Sequence, residues 1–499
     1  MGAFIDARTV PSGTVVHADL AIVGGGPAGI SLALALANTK LKVVLLESGG
    51  MAFDAKTQSL YDGSKVGAPY VTLEASRLRY LGGSSNHWGG WCRPLDAVDF
   101  EERAWMPYSG WPITKADLDR HFVKAHELCE AGTLYYDGAA KITGSIGQPL
   151  ALGTGGLMTR WFQFSKMRSS VLPTHFGERY ASDLKKVSRL AVYLWANVTR
   201  LGLNPSGTYV RQLDVATLDG KKFKVRAKAC VLAAGGIEVA RLLLASNDVI
   251  KTGAGNSHDM VGRFFADHPV PRDNAVLVLF GGEPAPFYLG NQTTHGAILR
   301  AGLFPSEHFR REHEVMASSI TVEGKVELDA LGKAAVATTA NALGVDASSA
   351  SFHSLGCGME ITPDPDRRLT LTNERDALGM PKLKLHMRLA DQDFAKYRLT
   401  LKELGRQLLE SRIGMLKLNL RTRDEWYASL DWGNHHMGTT RMSVDPKKGV
   451  VDANLKVHGV ANLYVAGSSV FPTYGAANPT VNLLALVLRL ADHLKEELP

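Results

Sequence analysis

ADLAIVGGGPAGISLALALANTKLKVVLLESGG, Ala18 to Gly50, decides the fold. An apolar run, Leu20 to Val23, meets a glycine cluster, then a helical pattern, then a second apolar run from Leu41 to Leu46. The order is strand, tight turn, helix, strand. Gly24, Gly26 and Gly29 fit the spacing G-x-G-x-x-G. The first permits the turn, the second lets the backbone approach a pyrophosphate, and the third allows close packing of helix on strand. The pyrophosphate would rest on the helix N-terminus, where unpaired N–H groups and the helix dipole favour negative charge. Glu47 closes the second run, eighteen residues past Gly29. An acidic side chain there accepts hydrogen bonds from ribose hydroxyls and repels a 2'-phosphate. This motif alone does not separate NAD from FAD.

Working outward, Lys228 to Arg241 reads as an apolar strand that ends in Gly235 and Gly236, followed by a helix carrying Leu242 to Leu244. A nucleotide domain assembled from distant segments follows. Leu190 to Arg200 reads as one more strand, and Val198 near its end could offer backbone groups to an adenine or serve as a core valine. The fold class expected is α/β, with a Rossmann-like domain at its centre.

Composition sets bounds on function. With 499 residues, 45% of them hydrophobic, the chain can bury roughly two to four domain-sized cores. The most apolar stretch, Val481 to Leu490, contains Asn482 and Arg489, so no membrane span is expected. Met1 to His17 lacks an apolar signal core and a twin arginine, which leads to the expectation of a cytoplasmic protein. Cys92, Cys129, Cys230 and Cys357 lie too far apart for a disulfide framework or a zinc or iron-sulfur ligand set, so no metal site is expected. A net charge of +7 without a basic, aromatic-interleaved stripe argues against nucleic acid.

Two further stretches carry a resemblance. Leu81-Gly-Gly-Ser-Ser-Asn-His-Trp-Gly-Gly-Trp91 is rich enough in glycine to lie flat against a planar ligand. The C-terminal block contains Gly433-Asn-His-His-Met-Gly-Thr-Thr-Arg-Met442, Val450-Val-Asp452, Asn462-Leu-Tyr-Val-Ala-Gly-Ser-Ser469 and Tyr474-Gly-Ala-Ala-Asn-Pro-Thr480. Together these resemble the glucose-methanol-choline (GMC) oxidoreductase family, and within it the branch of pyranose oxidases and glycoside 3-oxidases. Ile113 to Arg189 and Pro271 to Leu430 are unmatched by motif.

The resemblance implies FAD, with Gly83, Ser84, His87, Trp88, Gly467, Pro479 and Thr480 beside it in addition to the glycines, Glu47 and Val198. In pyranose oxidases the histidine of an S-T-H-W motif is bonded covalently to the flavin. His87 falls at that position, but Asn86 replaces the threonine, so a covalent link is not favoured and His87 is expected to hydrogen-bond or pack against the flavin. The resemblance further implies a discontinuous FAD domain, residues 15–100, 190–270 and 431–499. Residues 101–189 and 271–430 would form a substrate domain around an antiparallel sheet. The alternating runs Arg368 to Thr372 and Lys382 to His386 read as strands there.

Oxidising an alcohol at a flavin needs a base for the hydroxyl proton, and a neutral imidazole suits that task near pH 7. His435 and His436 both qualify, and on an extended strand they would point to opposite faces. Family spacing selects His435 as the base and Asn478 as its partner. Asn-Pro-Thr before an apolar run also reads as a helix start with Asn478 at the N-cap. A helix from Pro479 to Glu497 would turn its positive end toward the flavin. Asp452 reads as a turn residue, and Arg441 and Asp267-His268-Pro269 as structural links.

The expected function is FAD-dependent oxidation of a secondary ring hydroxyl of a sugar or glycoside to a keto-sugar, C3 favoured over C2. No cysteines cluster for an internal electron path, which leaves oxygen or a quinone-type acceptor. Dehydrogenation of a non-sugar alcohol, a non-redox lyase of the same fold and a flavin-binding module without turnover are the rival readings. Trp161, Phe162, Trp426 and Trp432 are candidates to stack on a sugar or to pack in a core. Oligomeric state is not readable from the chain.

Overall fold

In the computed structural model, which describes residues 2–136, 146–166, 173–294 and 296–498, the apolar runs lie side by side. Parts of the expected substrate segment, 137–145 and 167–172, fall outside these residues. Val15–Val23 pairs in parallel with Val43–Leu46 on one side and with Lys222–Leu232 on the other. The registers Val23↔Leu46 and Val23↔Leu232 bring three strands to a common carboxyl end. Leu463–Val465 adds in parallel to Lys222–Leu232, with Val465 level with Leu232. Leu20 to Val23 and Val43 to Leu46 are buried throughout. Central parallel strands are covered on both faces, so their sequences are continuously apolar rather than alternating.

The helix Pro27–Ala35 follows the glycine turn with proline in its first turn, where the missing N–H costs nothing. It is apolar on all sides because it packs between the C-terminal helix Pro479–Glu497 and the helix Phe176–Lys186. Gly29 makes its closest approach to the strand: a Cβ there would lie 1.9 Å from the carbonyl oxygen of Gly24.

The single strand expected over Leu190 to Arg200 is two. Leu190–Leu194 runs parallel to Val43–Leu46, and Asn197–Leu203 pairs antiparallel with Val210–Ala216. Trp195 between them has φ of 62°. Its N–H is taken by the Gly49 carbonyl and that of Ala196 by the Glu47 carbonyl, so the end of the neighbouring strand breaks this one. Val198 consequently begins a strand instead of ending one.

A second eight-stranded sheet is antiparallel along its path Gly414–Leu418, Ala275–Leu279, Ser351–Met359, Ser318–Lys325, Ala297–Pro305, Leu157–Phe164, Trp91–Cys92. The alternating runs near 370 and 384 do form strands, Arg368–Arg375 and Pro381–Met387, but they join Gly63–Gly67 in a separate three-stranded sheet. Cys92, Cys129, Cys230 and Cys357 are free and buried. Among the described residues no helix is long and apolar enough to cross a membrane.

Candidate active site

The common carboxyl end of the parallel strands opens into a cavity with about 1700 Å³ of atom-free space, counted to its mouth. Ligands of open α/β sheets bind at this edge because the strands end there and the helices begin. The wall brings together Gly24, Gly26, Glu47, Gly83, Ser84, His87, Trp88, Val198, Gly235, Gly467, His435, Asn478, Pro479 and Thr480. Of the residues expected to hold the cofactor or to act as base and partner, Gly29 alone is not on the wall, in keeping with its packing against the strand.

The glycines divide their work as their surroundings dictate. Gly24 has φ of 110°, and a Cβ on it would meet the Ala233 carbonyl oxygen at 2.6 Å. At Gly26 nothing lies within 4 Å of the Cβ position, so this is bare backbone facing open space at the start of a helix. The segment from Leu81 closes over it through a hydrogen bond from the Gly82 N–H to the Gly25 carbonyl, 2.8 Å. Glu47 is buried; its Oε2 accepts from the Gly25 N–H at 2.7 Å and its Oε1 from the Gly49 N–H at 2.8 Å. The carboxylate is therefore held in place by the glycine turn, with lone pairs left to accept further hydrogen bonds.

His435 and His436 are not on a strand. Pro269–Pro271 pairs antiparallel with Leu430–Trp432, and pairing resumes at Ala266↔Met437. Between these points Asp267 and His268 face the four residues Gly433 to His436, so the second segment bulges. Asn434 takes φ of 57° to accommodate the surplus. Asp267 fills the gap: its Oδ1 accepts from the backbone N–H groups of His268 at 2.7 Å and His435 at 2.8 Å, and its Oδ2 accepts from the Tyr70 hydroxyl at 2.6 Å. Burial pushes this carboxyl up to about 7 against those hydrogen bonds, which favour the anion.

The bulge sets His435 between two partners. Its Nδ1 lies 2.9 Å from Nδ1 of His268, and its Nε2 lies 3.2 Å from the side-chain nitrogen of Asn478. Burial, reinforced by the two neighbouring imidazoles, holds the His435 pKa well below 6.5. His268 is pulled down to about 4 and His436 to about 3, in both cases chiefly by burial. His436 lines the cavity, and its Nε2 is buried without a hydrogen-bond partner. Asn478 does occupy the N-cap position of Pro479–Glu497, yet its side chain makes no capping bond and turns to His435 instead.

Other expectations resolve as follows. Asp452 is a turn residue, accepting from the N–H groups of Asn454 and Lys456. Arg441 is structural, its guanidinium bonded to the Tyr108 carbonyl and 4.5 Å from the Phe264 ring centroid. Trp161, Phe162, Trp426 and Trp432 are buried and absent from the wall, so they are core residues. Trp88 and Trp91 stand on the wall instead. Asp267, His268 and Tyr70 are the participants that sequence reasoning set aside or missed. For Asp267 and His268 the signal was the Asp-His-Pro tripeptide, which only gains meaning beside residues 433–437.

Residues 363–486 match the family model described as GMC oxidoreductase, a segment that includes His435, His436 and Asn478. That segment, about a quarter of the chain, is what the family model covers. The chain is 30% identical over 287 residues to the fructose dehydrogenase large subunit of Gluconobacter japonicus, covering 56% of this chain and 49% of that one. It is 28% identical over 302 residues to a C-glycoside 3-oxidase of Microbacterium trichothecenolyticum, covering 57% and 50%. The alignments thus span about half the length of these two relatives. Its fold is also that of pyridoxine 4-oxidase from Mesorbium loti, with a TM-score of 0.57 at 20% identity over 96% of this chain and 99% of that one.

Proposed function

We propose that the protein is a GMC oxidoreductase that binds FAD without a covalent bond and oxidises a secondary ring hydroxyl of a sugar or glycoside, at C3 in preference to C2, to a keto-sugar. The observation that carries the reading is the His435–Asn478 pair, 3.2 Å apart, on the wall of the same cavity that holds the glycine turn and Glu47. The residues suit the cofactor: Gly26 leaves room for a pyrophosphate, Glu47 stands at the ribose position, and the helix from Pro479 offers free N–H groups to an electron-rich ring. FAD, when bound, would supply the hydride acceptor.

The chain's own residues supply the rest. His435, neutral because it is buried, takes the hydroxyl proton. Asn478 orients the hydroxyl by hydrogen bonding. Proton removal raises the electron density on the carbinol carbon and makes loss of hydride easier. The names of the two curated relatives, one a fructose dehydrogenase subunit and one a C-glycoside 3-oxidase, support a sugar-like substrate. Oxygen or a quinone-type acceptor is proposed to complete the cycle.

The first test mixes the yellow protein anaerobically with free sugars, O-glycosides and C-glycosides while the visible flavin band is followed. Bleaching by a glycoside with recovery in air supports a glycoside oxidase; recovery with a quinone alone supports a dehydrogenase. Bleaching only by non-sugar alcohols, or by nothing, overturns the sugar assignment. Acid precipitation tests the linkage, since a yellow pellet would mean a covalent bond to the cofactor and a colourless one its absence.

A further inference from the structure

We propose that His268 is a positioning residue that fixes the tautomer of His435, so that the lone pair used as base is the one at Nε2, facing Asn478 and the cavity. The inference rests on the reading of His435 as the base and adds which nitrogen acts and what decides it.

The argument is a proton count that starts at a carbonyl. His268 Nε2 lies 3.0 Å from the Gly475 carbonyl oxygen, and a carbonyl can only accept. The proton of neutral His268 is therefore on Nε2, and its Nδ1 is left as a lone pair. That lone pair faces His435 Nδ1 at 2.9 Å. Two lone pairs at this distance would repel, so His435 must carry its proton on Nδ1 and donate it to His268. Its Nε2 is then the acceptor, which accounts for the Asn478 amide presenting its nitrogen, 3.2 Å away, rather than its oxygen. Both rings are neutral at pH 7, because burial lowers both pKa values.

The start of the chain is itself held. Gly475 has φ of 54°, and a Cβ on it would meet Asp99 Oδ2 at 2.5 Å. Its N–H and that of Tyr474 both donate to Glu360 Oε1 at 3.0 Å, and Glu360 pairs with Arg103 at 3.2 Å. The Tyr474 ring meets His268 edge-on at 4.9 Å between centroids. When His435 becomes an imidazolium it keeps its Nδ1–H bond to His268. The Gly475 carbonyl cannot take a proton onward, so the proton returns through Nε2 to the cavity.

The test uses the FAD-loaded protein with three variants. With ¹⁵N-labelled histidine, the wild-type His435 signals, assigned by their loss in His435→Gln, should show a protonated Nδ1 and an unprotonated Nε2. His268→Phe removes the acceptor and should lower kcat by about 100-fold with KM and flavin content little changed. His268→Asn returns an amide oxygen to the place of Nδ1 and should recover most of that loss. A protonated Nε2 on His435, or a His268→Phe enzyme with wild-type kcat, or equal losses in His268→Phe and His268→Asn, would each overturn the tautomer assignment. Full activity in His435→Gln would instead overturn the function it rests on.

Discussion

At the scale of single residues the chemistry depends on side chains whose ordinary roles are withdrawn. Asn478 sits where an asparagine caps a helix but gives its amide to His435. Replacing His435 by alanine should lower the rate of anaerobic flavin bleaching by about 10²- to 10⁴-fold, the usual contribution of a general base. Asn478→Ala should cost less and act on KM as well as kcat, since in the proposed mechanism it orients the hydroxyl. Gly475→Ala should destabilise by at least about 1–3 kcal/mol, because φ of 54° and the Asp99 carboxylate 2.5 Å away both oppose a Cβ. Thermal unfolding of the variant, with no change expected in the intact wild-type spectrum, reads that cost.

At the scale of elements the bulge at 433–436 is what makes a site between a short antiparallel strand pair and a single β-bridge. Asp267 holds it by accepting backbone N–H groups from both sides. Asp267→Ala should leave those donors buried and unpaired, costing about 1–3 kcal/mol for each, and should lower kcat through His435 displacement. Asp267→Asn keeps an oxygen at the Oδ1 position and should retain the fold, so comparing melting temperatures of the two variants separates the lost acceptor from the lost charge. The Leu190–Leu203 segment shows the same principle in the other direction. There the ends of the strand at Val43–Leu46 impose a break that no local propensity demanded.

For the molecule as a whole, buried histidines set the pH response. His126 and His268 titrate near 4 and His436 near 3 in the folded chain, against 6.5 for the free side chain. A lowered histidine pKa leaves folding unaffected above pH 6.5. As pH falls below 6.5 the unfolded chain binds protons the folded one does not, so stability declines. Asp267 opposes this between 3.8 and about 7, where the folded state holds the extra proton. Three histidines outweigh one carboxylate, so stability should fall by about 1.4 kcal/mol or more per pH unit between pH 6 and about 4, measurable as a drop in denaturant midpoint. The acid limb of kcat/KM should likewise lie below pH 6.5, since His435 is held neutral. Stripping FAD should lower the melting temperature, because a ligand at 100 times its Kd adds about 2.7 kcal/mol; an unchanged melting point would count against the cavity as its site.

What the sequence determined by itself was local and periodic. The strand, glycine turn, helix and terminal Glu47 follow from 33 consecutive residues, Ala18 to Gly50, whose spacing meets backbone requirements that act over a few residues. The Asn-Pro-Thr helix start and the length of the last helix, Pro479–Glu497, were legible for the same reason. Histidine and asparagine in the last 70 residues could be singled out as candidates, but their geometry could not. That His268 meets His435 across 167 positions, that Asp267 supports the bulge, and that Trp161 and Trp426 belong to the core are products of long-range packing. Only the tertiary structure decides these, because a hydrogen bond or a buried face is a relation between distant segments, and no periodicity along the chain encodes which of them will meet.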